Sequence, residues 1–367
     1  MTSTDVAWRA VPAAAKPAIA ARVGGRVVQI DMMRFVAFAT IATIHVSWVD
    51  TRDVGARSVL LLMLRYSLPF FFMTSGWFAA RHLGDDVAYL RRVILRLGGL
   101  FVVWELVFNA IHFFVHDLGY RPMPTTAHDA IVYLAATLNG GGVAFHLWFL
   151  PWLAVSITIF LGLARLGWTA VWIGTASLYV IGLAVGPYNE FTGVFDVVAR
   201  IYPDPLAFTA RNGPFFGPLF VAFGAWFARR QDLVAQVPRG VAPMVVIFGF
   251  LLFAGEAIFI SRHGVKMVAN FNFLVGSVIF APALFVVILR APVDRVTTAM
   301  ARLGRHGLGM YCLHALFTLL YNQAHPAATR LDMPVWVSLV QAAWVVALSA
   351  GLALLLARIP VLRRFVL

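Results

Sequence analysis

Long apolar runs, broken by short polar segments, recur along the whole chain. Ten of these runs approach the length of about 20 residues that an α-helix needs to cross a bilayer. They predict membrane spans over residues 28–49, 59–80, 93–116, 143–164, 166–187, 213–228, 241–261, 270–289, 306–324 and 334–357. No alternation with period two, which is typical of membrane β-barrels, competes with them. The pattern therefore predicts an all-α, polytopic integral membrane protein.

The composition excludes most other classes of protein. Of the 367 residues, 61% are hydrophobic and only 12% are charged, and this charged fraction is about half that of soluble globular proteins. The mean hydropathy is +0.83. Soluble domains and disordered chains are excluded by these values. The single cysteine, Cys312, excludes a disulfide framework and a cysteine-based metal site.

The charges predict how the chain is oriented. The formal net charge is +13, and most of the 29 lysines and arginines fall in segments on the side of the N-terminus. The positive-inside rule then places both termini in the cytoplasm. Residues 1–27 are expected to form a cytoplasmic tail without a cleavable signal peptide, residues 28–357 a transmembrane domain, and residues 358–367 a basic cytoplasmic tail. Orientation explains the excess charge, so no nucleic-acid partner is needed.

Two long loops are predicted on the outer side, over residues 117–142 and 188–212. Both contain several of the prolines and glycines that form turns. Loops of this length are often functional. We expect them to shape a mouth for an extracytoplasmic ligand.

The first predicted span carries three ionisable residues, Asp31, Arg34 and His45. At 3.6 residues per turn, Arg34 and His45 differ in direction by only about 20°, and Asp31 falls in the same sector. Ionisable groups inside a bilayer usually face a cavity or a partner, and histidine is a natural general base at neutral pH. The alternative is that an Asp–Arg pair caps the helix and that His45 is a buried structural histidine.

Further polar residues lie in the other spans. Glu105 shares a helical face with Asn109, His112 and His116, a pattern for which a metal site is an alternative that we do not favour. Other candidates to face the interior are Arg65 and Ser75 in the second span, His146 and Trp148 in the fourth, and His314 in the ninth. Trp148 alternatively belongs to an interfacial aromatic belt.

Four segments in order make the chain resemble the acyltransferase 3 family of integral membrane acyltransferases. They are Asp31–Arg34 followed by His45, Pro69–Trp77, Arg91–Arg96 and Leu303–His314. They are similar to the family's D-x-x-R with R-x10-H, its P-x-F-F-x-x-S-G-F, its basic segment and its S-x-x-x-Y-L-x-H region. The segment His146–Leu150 also resembles glucan-modifying succinyltransferases. The chain departs from the family where Arg92 and Arg96 are four residues apart, where Gly307 replaces a serine, and where Trp77 replaces a phenylalanine.

The resemblance implies a donor, an acceptor and a location. The donor is cytosolic acyl-CoA, with acetyl-CoA favoured over succinyl-CoA, and the acceptor is a hydroxyl of a saccharide on the far side of a bacterial inner membrane. The resemblance implies that His45, Arg34, Asp31 and Glu105 are catalytic, with no permanently bound cofactor or metal. The substrate-binding residues are then expected to be Arg65, Ser75, His146, Trp148 and His314. Arg34, Arg81, Arg91, Arg92 and Arg96 are expected to bind the phosphates of CoA, because arginine suits bidentate contacts with phosphate.

Two rival classes remain open from the sequence. A transporter of polysaccharides or lipid-linked sugars would also have about ten spans and buried charges, but would consume no acyl-CoA. A structural or sensor protein would tolerate replacement of Arg34 and His45. The identity of the acceptor, a covalent or direct transfer, and a monomer or homo-oligomer are not decided by the residues.

Overall fold

The chain forms a bundle of helices, described here from a computed structural model for residues 22–23, 26–46, 61–114, 125–138, 144–194, 210–263, 272–324 and 334–366. The helices are α1 (Val28–Val46), α2 (Ser67–Ala79), α3 (Asp86–Phe114), α4 (Ala127–Leu138), α5 (Phe149–Ala164), α6 (Trp168–Val185), α7 (Asn189–Thr192), α8 (Gly217–Arg229), α9 (Gln231–Gln236), α10 (Val241–Arg262), α11 (Val275–Leu289), α12 (Arg295–Gly304), α13 (Gly307–Ala324), α14 (Val335–Leu356) and α15 (Pro360–Arg363). Short 3-10 turns cover Leu64–Tyr66 and Ala80–His82.

Each of the ten predicted spans overlaps a helix in the described part of the chain. By length and composition, four helices could cross a membrane: Asp86–Phe113, Trp168–Val185, Val241–Arg262 and Trp336–Leu356. Shorter apolar helices cover Ala127–Leu138, Phe149–Ala164, Val275–Leu289 and Gly307–Tyr321. The predicted helical class is therefore confirmed, whereas the number of spans and their orientation stay predictions.

Two predicted loop or tail segments contain regular structure. The tail assigned to residues 1–27 contains a short antiparallel ribbon of β1 (Arg22–Val23) and β2 (Arg26–Val27), which pairs Arg22 with Val27; residues 1–21 lie outside the described part. The loop predicted over residues 117–142 contains α4, which is apolar but much shorter than a span. Its length of 12 residues is below the roughly 20 that identify a span, so the hydropathy pattern alone missed it.

An amphipathic helix, α12, packs along α1 and leads directly into α13. Its first turn is closed by a capping box, in which the Asp294 carboxylate accepts from the Thr297 N–H and the Thr297 hydroxyl accepts from the Asp294 N–H. The bond from the Thr297 N–H holds the pKa of Asp294 below its usual range. At the other end of α12, Gly304 lies so close to α1 that a Cβ would overlap the carbonyl oxygen of Asp31. Because position 304 is a glycine, α12 can lie against α1, and α13 therefore begins directly beside α1.

Helices α2 and α8 cross at a pair of glycines. A Cβ at Gly76 would overlap the carbonyl oxygen of Val221, and a Cβ at Gly224 would overlap that of Met73. Small residues allow two membrane helices to approach to backbone contact, where packing is tightest. Gly76, within the Pro69–Trp77 segment, therefore permits the close approach of α2 and α8. Buried aromatic side chains, including Phe72 and Phe220, fill the space on either side of the crossing.

The start of α2 places an arginine inside the bundle. A 3-10 turn over Leu64–Tyr66 precedes α2, and the Ser67 hydroxyl donates to the Leu64 carbonyl across it. The change from the 3-10 turn to the α-helix comes two residues before Pro69, whose ring cannot donate a backbone hydrogen bond. Arg65 lies in this turn, which packs on α1, and only 8% of its surface is exposed.

A carboxylate inside the bundle fixes the beginning of α11. Glu256 of α10 accepts hydrogen bonds from the backbone N–H groups of Val275 and Gly276, at 2.8 and 2.7 Å, and from the Tyr188 hydroxyl. A negative charge at the N-terminus of a helix satisfies donors that have no partner within the helix. Glu256 therefore has a structural role that ties α10, α11 and the end of α6 together.

The glycine crossing gives a stability prediction. Gly224→Ala adds a methyl group against the Met73 carbonyl, and we expect it to cost about 1–3 kcal/mol, as other insertions into packed sites do. The measurement is the temperature at which the detergent-purified protein loses its monodisperse gel-filtration peak. Gly162→Ala is the matched control, because nothing lies within 4 Å of a Cβ built there. Equal midpoints for the two variants would contradict the role of the crossing.

Candidate active site

Three histidines from distant parts of the chain meet in the bundle. His45 lies in the last turn of α1, His314 in the middle of α13, and His146 in the turn that precedes α5. His45 Nδ1 is 2.8 Å from His314 Nε2, and the two rings are stacked with their centroids 5.1 Å apart. The ring of His146 meets His314 edge-on at 5.0 Å. The structure thus brings together three of the predicted site residues.

One turn of α13 orients two of these rings. His314 Nδ1 is 2.5 Å from the Tyr311 carbonyl oxygen, and His146 Nε2 is 3.1 Å from the Cys312 carbonyl oxygen. The Tyr311 hydroxyl donates in turn to the His146 carbonyl oxygen. Tyr311 therefore contacts both histidines, one through its backbone and one through its side chain. The predicted Leu303–His314 motif supplies His314, the Tyr311 hydroxyl and both carbonyl groups on one turn of α13.

The carbonyl contacts determine which nitrogens carry protons when the rings are neutral. A carbonyl oxygen can only accept, so His314 Nδ1 and His146 Nε2 must be the protonated nitrogens. His314 Nε2 is then the acceptor, and His45 must donate to it from Nδ1. This leaves the lone pair of His45 on Nε2, where it is available to take a proton or attack a carbonyl carbon. A second histidine thus orients His45, as a carboxylate orients the base in hydrolase triads.

The surroundings of the histidines are apolar. His314 is 0% exposed and His146 is 1% exposed. Aromatic rings from three elements surround them, with Phe38 near His314, Phe145 near His45 and Phe108 near His146. His146 Nδ1, the unprotonated nitrogen, is buried with no hydrogen-bond partner in the described structure. An apolar, closed setting of this kind strengthens electrostatic interactions with a bound reactant.

Two arginines lie near the histidines. Arg65 and Arg211 are each within electrostatic range of His45 and of one another. The guanidinium of Arg211 stacks over the Trp148 ring, 4.4 Å from its centroid, and its Nε donates to the Asn212 side chain at 2.9 Å. Trp148 is 6% exposed, so it is a buried platform for Arg211.

A second group of charges gathers at the opposite end of α1. Asp31 is buried and accepts from Arg26 Nε at 2.9 Å and from Arg34 Nη1 at 3.1 Å. The Phe78 ring lies between Arg34 and Arg81, whose guanidinium carbons are 5.2 and 5.3 Å from its centroid. The expected pairing of Asp31 with Arg34 is therefore present. It holds Arg34 on the α1 face that also carries His45.

The other predicted phosphate-binding arginines lie on α3. Arg96 is within electrostatic range of Arg34, so it joins the group around Phe78. Arg91 and Arg92 are exposed on the first turns of α3. Just before them in the chain, the Tyr89 ring stacks on the His82 ring, with the centroids 4.3 Å apart. The structure thus brings Arg34, Arg81 and Arg96 together and leaves Arg91 and Arg92 on the nearby surface.

Two predicted site residues are engaged elsewhere. Glu105 Oε2 accepts from the Asn109 amide at 3.2 Å, and Asn109 accepts from the Tyr133 hydroxyl of α4, while Glu105 Oε1 is buried without a partner in the described structure. No contact among the described residues joins Glu105 to the histidines, and His116 lies outside them. The Ser75 hydroxyl donates to the Phe71 carbonyl within α2. The catalytic role of Glu105 and the substrate role of Ser75 stay predictions.

The sequence reasoning missed Arg211 as a site residue. Arg211 falls in the predicted outer loop 188–212, where nothing in the neighbouring sequence distinguishes it from Arg200. No group of three or more His, Cys, Asp and Glu side chains in the described ranges is arranged to hold a metal ion.

Relatives among curated proteins are distant. A serine/alanine racemase of Enterococcus gallinarum is 23% identical over 248 residues, which is 61% of this chain and 32% of that protein. An amino-acid racemase of Enterococcus faecalis is 22% identical over 243 residues, 64% of this chain and 33% of that protein. The aligned part therefore covers about a third of the length of these relatives. No solved structure gives a significant match.

A family model gives a match over nearly the whole chain. The model for the acyltransferase domain matches residues 27–358, a range that contains all four segments that carry the resemblance. Together with the apolar helices, this match indicates a multi-pass membrane protein. The chain belongs to the acyltransferase 3 family.

Proposed function

We propose that the protein moves an acyl group from cytosolic acyl-CoA to a hydroxyl of an extracytoplasmic saccharide, such as an exopolysaccharide, a glucan or an O-antigen unit. Acetyl-CoA is the expected donor, and succinyl-CoA is the second candidate. The proposal includes about ten membrane spans in a bacterial inner membrane, with both termini in the cytoplasm. Membership of the acyltransferase 3 family supports it. The observation that carries it is the His45–His314 pair, which leaves His45 Nε2 free to react.

The length of α1 supports a donor that reaches through part of the membrane. Arg34 and His45 are eleven residues apart on one face of α1, or about 16 Å at 1.5 Å per residue. This separation is comparable to the reach of an extended pantetheine arm. The phosphates of CoA would bind among Arg34, Arg81 and Arg96, and the thioester would lie beside His45. The basic group therefore binds the donor, while the histidines perform the chemistry.

His45 would act as the general base in a direct transfer. Its Nε2 takes the proton of the acceptor hydroxyl while that oxygen attacks the thioester carbonyl carbon. The carbon–sulfur bond then breaks, and the proton passes to the departing thiolate to give CoA. In the covalent alternative, the same nitrogen first carries the acyl group and then releases it to the hydroxyl. Both routes need the lone pair on Nε2 that the contact with His314 provides.

The function is tested in cells and with purified protein. Mass analysis of surface glycans should show ester groups that are absent from a deletion strain and restored by the wild-type chain. The purified chain should release CoA thiol from acetyl-CoA or succinyl-CoA when given those glycans. His45→Ala should abolish both. A stably inserted His45→Ala protein with full ester formation would contradict the mechanism, and transport of glycans without thioester consumption would favour a transporter.

The orienting role of His314 predicts a contrast between two substitutions. Glutamine places an amide oxygen near the position of His314 Nε2 and can still accept from His45, whereas asparagine reaches only the position of Nδ1. We therefore expect His314→Gln to keep most of kcat and His314→Asn to lower it roughly 10²-fold, a typical share of general base catalysis. The KM for acyl-CoA should be the same in both variants. Equal kcat values in the two variants would contradict the orientation of His45 by His314.

The basic group predicts an effect on donor affinity. The double variant Arg92→Gln/Arg96→Gln removes one charge within electrostatic range of Arg34 and one on the nearby surface. It should raise the KM for acyl-CoA at least about tenfold, since one lost charge-assisted bond costs roughly 1.5–3 kcal/mol. We expect kcat to change little, because neither side chain contacts the histidines. The control is Arg239→Gln, an exposed arginine between α9 and α10. An unchanged KM in the double variant would rule out this binding site for the CoA phosphates.

A further inference from the structure

Of the two arginines near the histidines, Arg65 is unusual because no counter-ion lies beside it among the residues that the structure describes. Arg65 is 8% exposed, and its Nε is buried without a hydrogen-bond partner in the described structure. None of the ion pairs among the described residues includes Arg65. A buried guanidinium normally has carboxylates or carbonyls around it, since the cost of removing it from water is high. Arg65 therefore has unused capacity to bind an anion.

Arg211 adds a second guanidinium near the anion-binding capacity of Arg65. It lies within electrostatic range of Arg65, although two like charges in an apolar setting repel one another. The Trp148 ring beneath it and the Asn212 side chain hold its guanidinium in place. A carboxylate binds arginine in a bidentate manner, so the buried Arg65, with the Trp148-stacked Arg211 in its electrostatic range, offers a favourable site for one. An anion between them also removes their mutual repulsion.

The position of this pair relates it to the reaction. Both arginines act electrostatically on His45, and Trp148, the platform of Arg211, is two residues from His146. A carboxylate bound there lies next to the group that would receive the thioester. We propose that Arg65 and Arg211 bind a carboxylate that is part of one of the two substrates. This inference rests on the proposed acyl transfer and makes its substrate class more specific.

Two sources can supply such a carboxylate. The first is the acyl group, when the donor is the thioester of a dicarboxylic acid such as succinyl-CoA. The second is the acceptor, when the saccharide contains uronic acid units. A donor carboxylate reaches the arginines only when the thioester is already beside His45, whereas a uronate binds independently of the donor. Both sources share the same chemistry at the arginines, and separate binding measurements distinguish them.

The experiment measures binding to the full-length chain in detergent by calorimetry, with four probes. Succinyl-CoA is compared with acetyl-CoA, and glucuronate with glucose, so that each pair differs mainly in its carboxylate. We expect about a tenfold preference for the carboxylate in one pair, which identifies the source. Arg65→Met should abolish that preference. Arg262→Met, which alters an exposed arginine at the end of α10, is the matched control and should keep it.

The outcomes separate the inference from the function on which it rests. If both CoA thioesters bind equally and both sugars bind equally, the inference is wrong while the acyltransferase proposal stands. A preference that survives in Arg65→Met also overturns it. If neither thioester binds or is consumed, the proposed function fails, whatever the sugars show. Arg65→Lys, which keeps the charge but loses the bidentate geometry, gives a second variant and should retain a weaker preference.

Discussion

The hydrogen bond between His45 and His314 is the interaction on which the site depends. It joins the end of α1 to the middle of α13, and it fixes the neutral form of His45 with its lone pair on Nε2. The Tyr311 carbonyl sets the direction of this bond from one side, because it can only accept. In an apolar interior, a ring without such a partner would carry the cost of an unsatisfied polar group. The stability of the buried rings and the proposed reactivity of His45 therefore both depend on the His45–His314 hydrogen bond.

The fold supplies this contact through close approaches of helix backbones. Gly304 lets α12 lie against α1, and α13, the helix that carries His314, begins three residues later beside Arg34. The crossing of α2 and α8 at Gly76 and Gly224 fixes the helix whose start carries Arg65. A membrane bundle has no hydrophobic driving force between helices, so tight packing of this kind largely determines its geometry. The close packing of these helices therefore positions the polar side chains of the site.

Much of the helical pattern could be predicted from the sequence, because spans need long apolar runs and these are visible without tertiary information. The sector on α1 that holds Arg34 and His45 also follows from helical periodicity alone. Sequence could not place His314 on His45, since 269 residues separate them and only packing decides which α13 face meets α1. Arg211 was missed for a related reason: a charge in a loop resembles any other until Trp148 is found beneath it. Short helices such as α4 fall below the length at which hydropathy is informative.

In the proposed reaction, one end of α1 would bind the donor and the other end would hold the reacting groups. A basic group around Phe78 lies at one end, and the histidines with Arg65 and Arg211 lie at the other. The most direct test is a cryo-electron microscopy structure of the full chain with a non-hydrolysable thioether analogue of acyl-CoA. We expect density for the CoA phosphates at Arg34, Arg81 and Arg96, with the acyl end beside His45 Nε2. Phosphates bound away from these arginines, or an acyl end that does not approach His45, would contradict it.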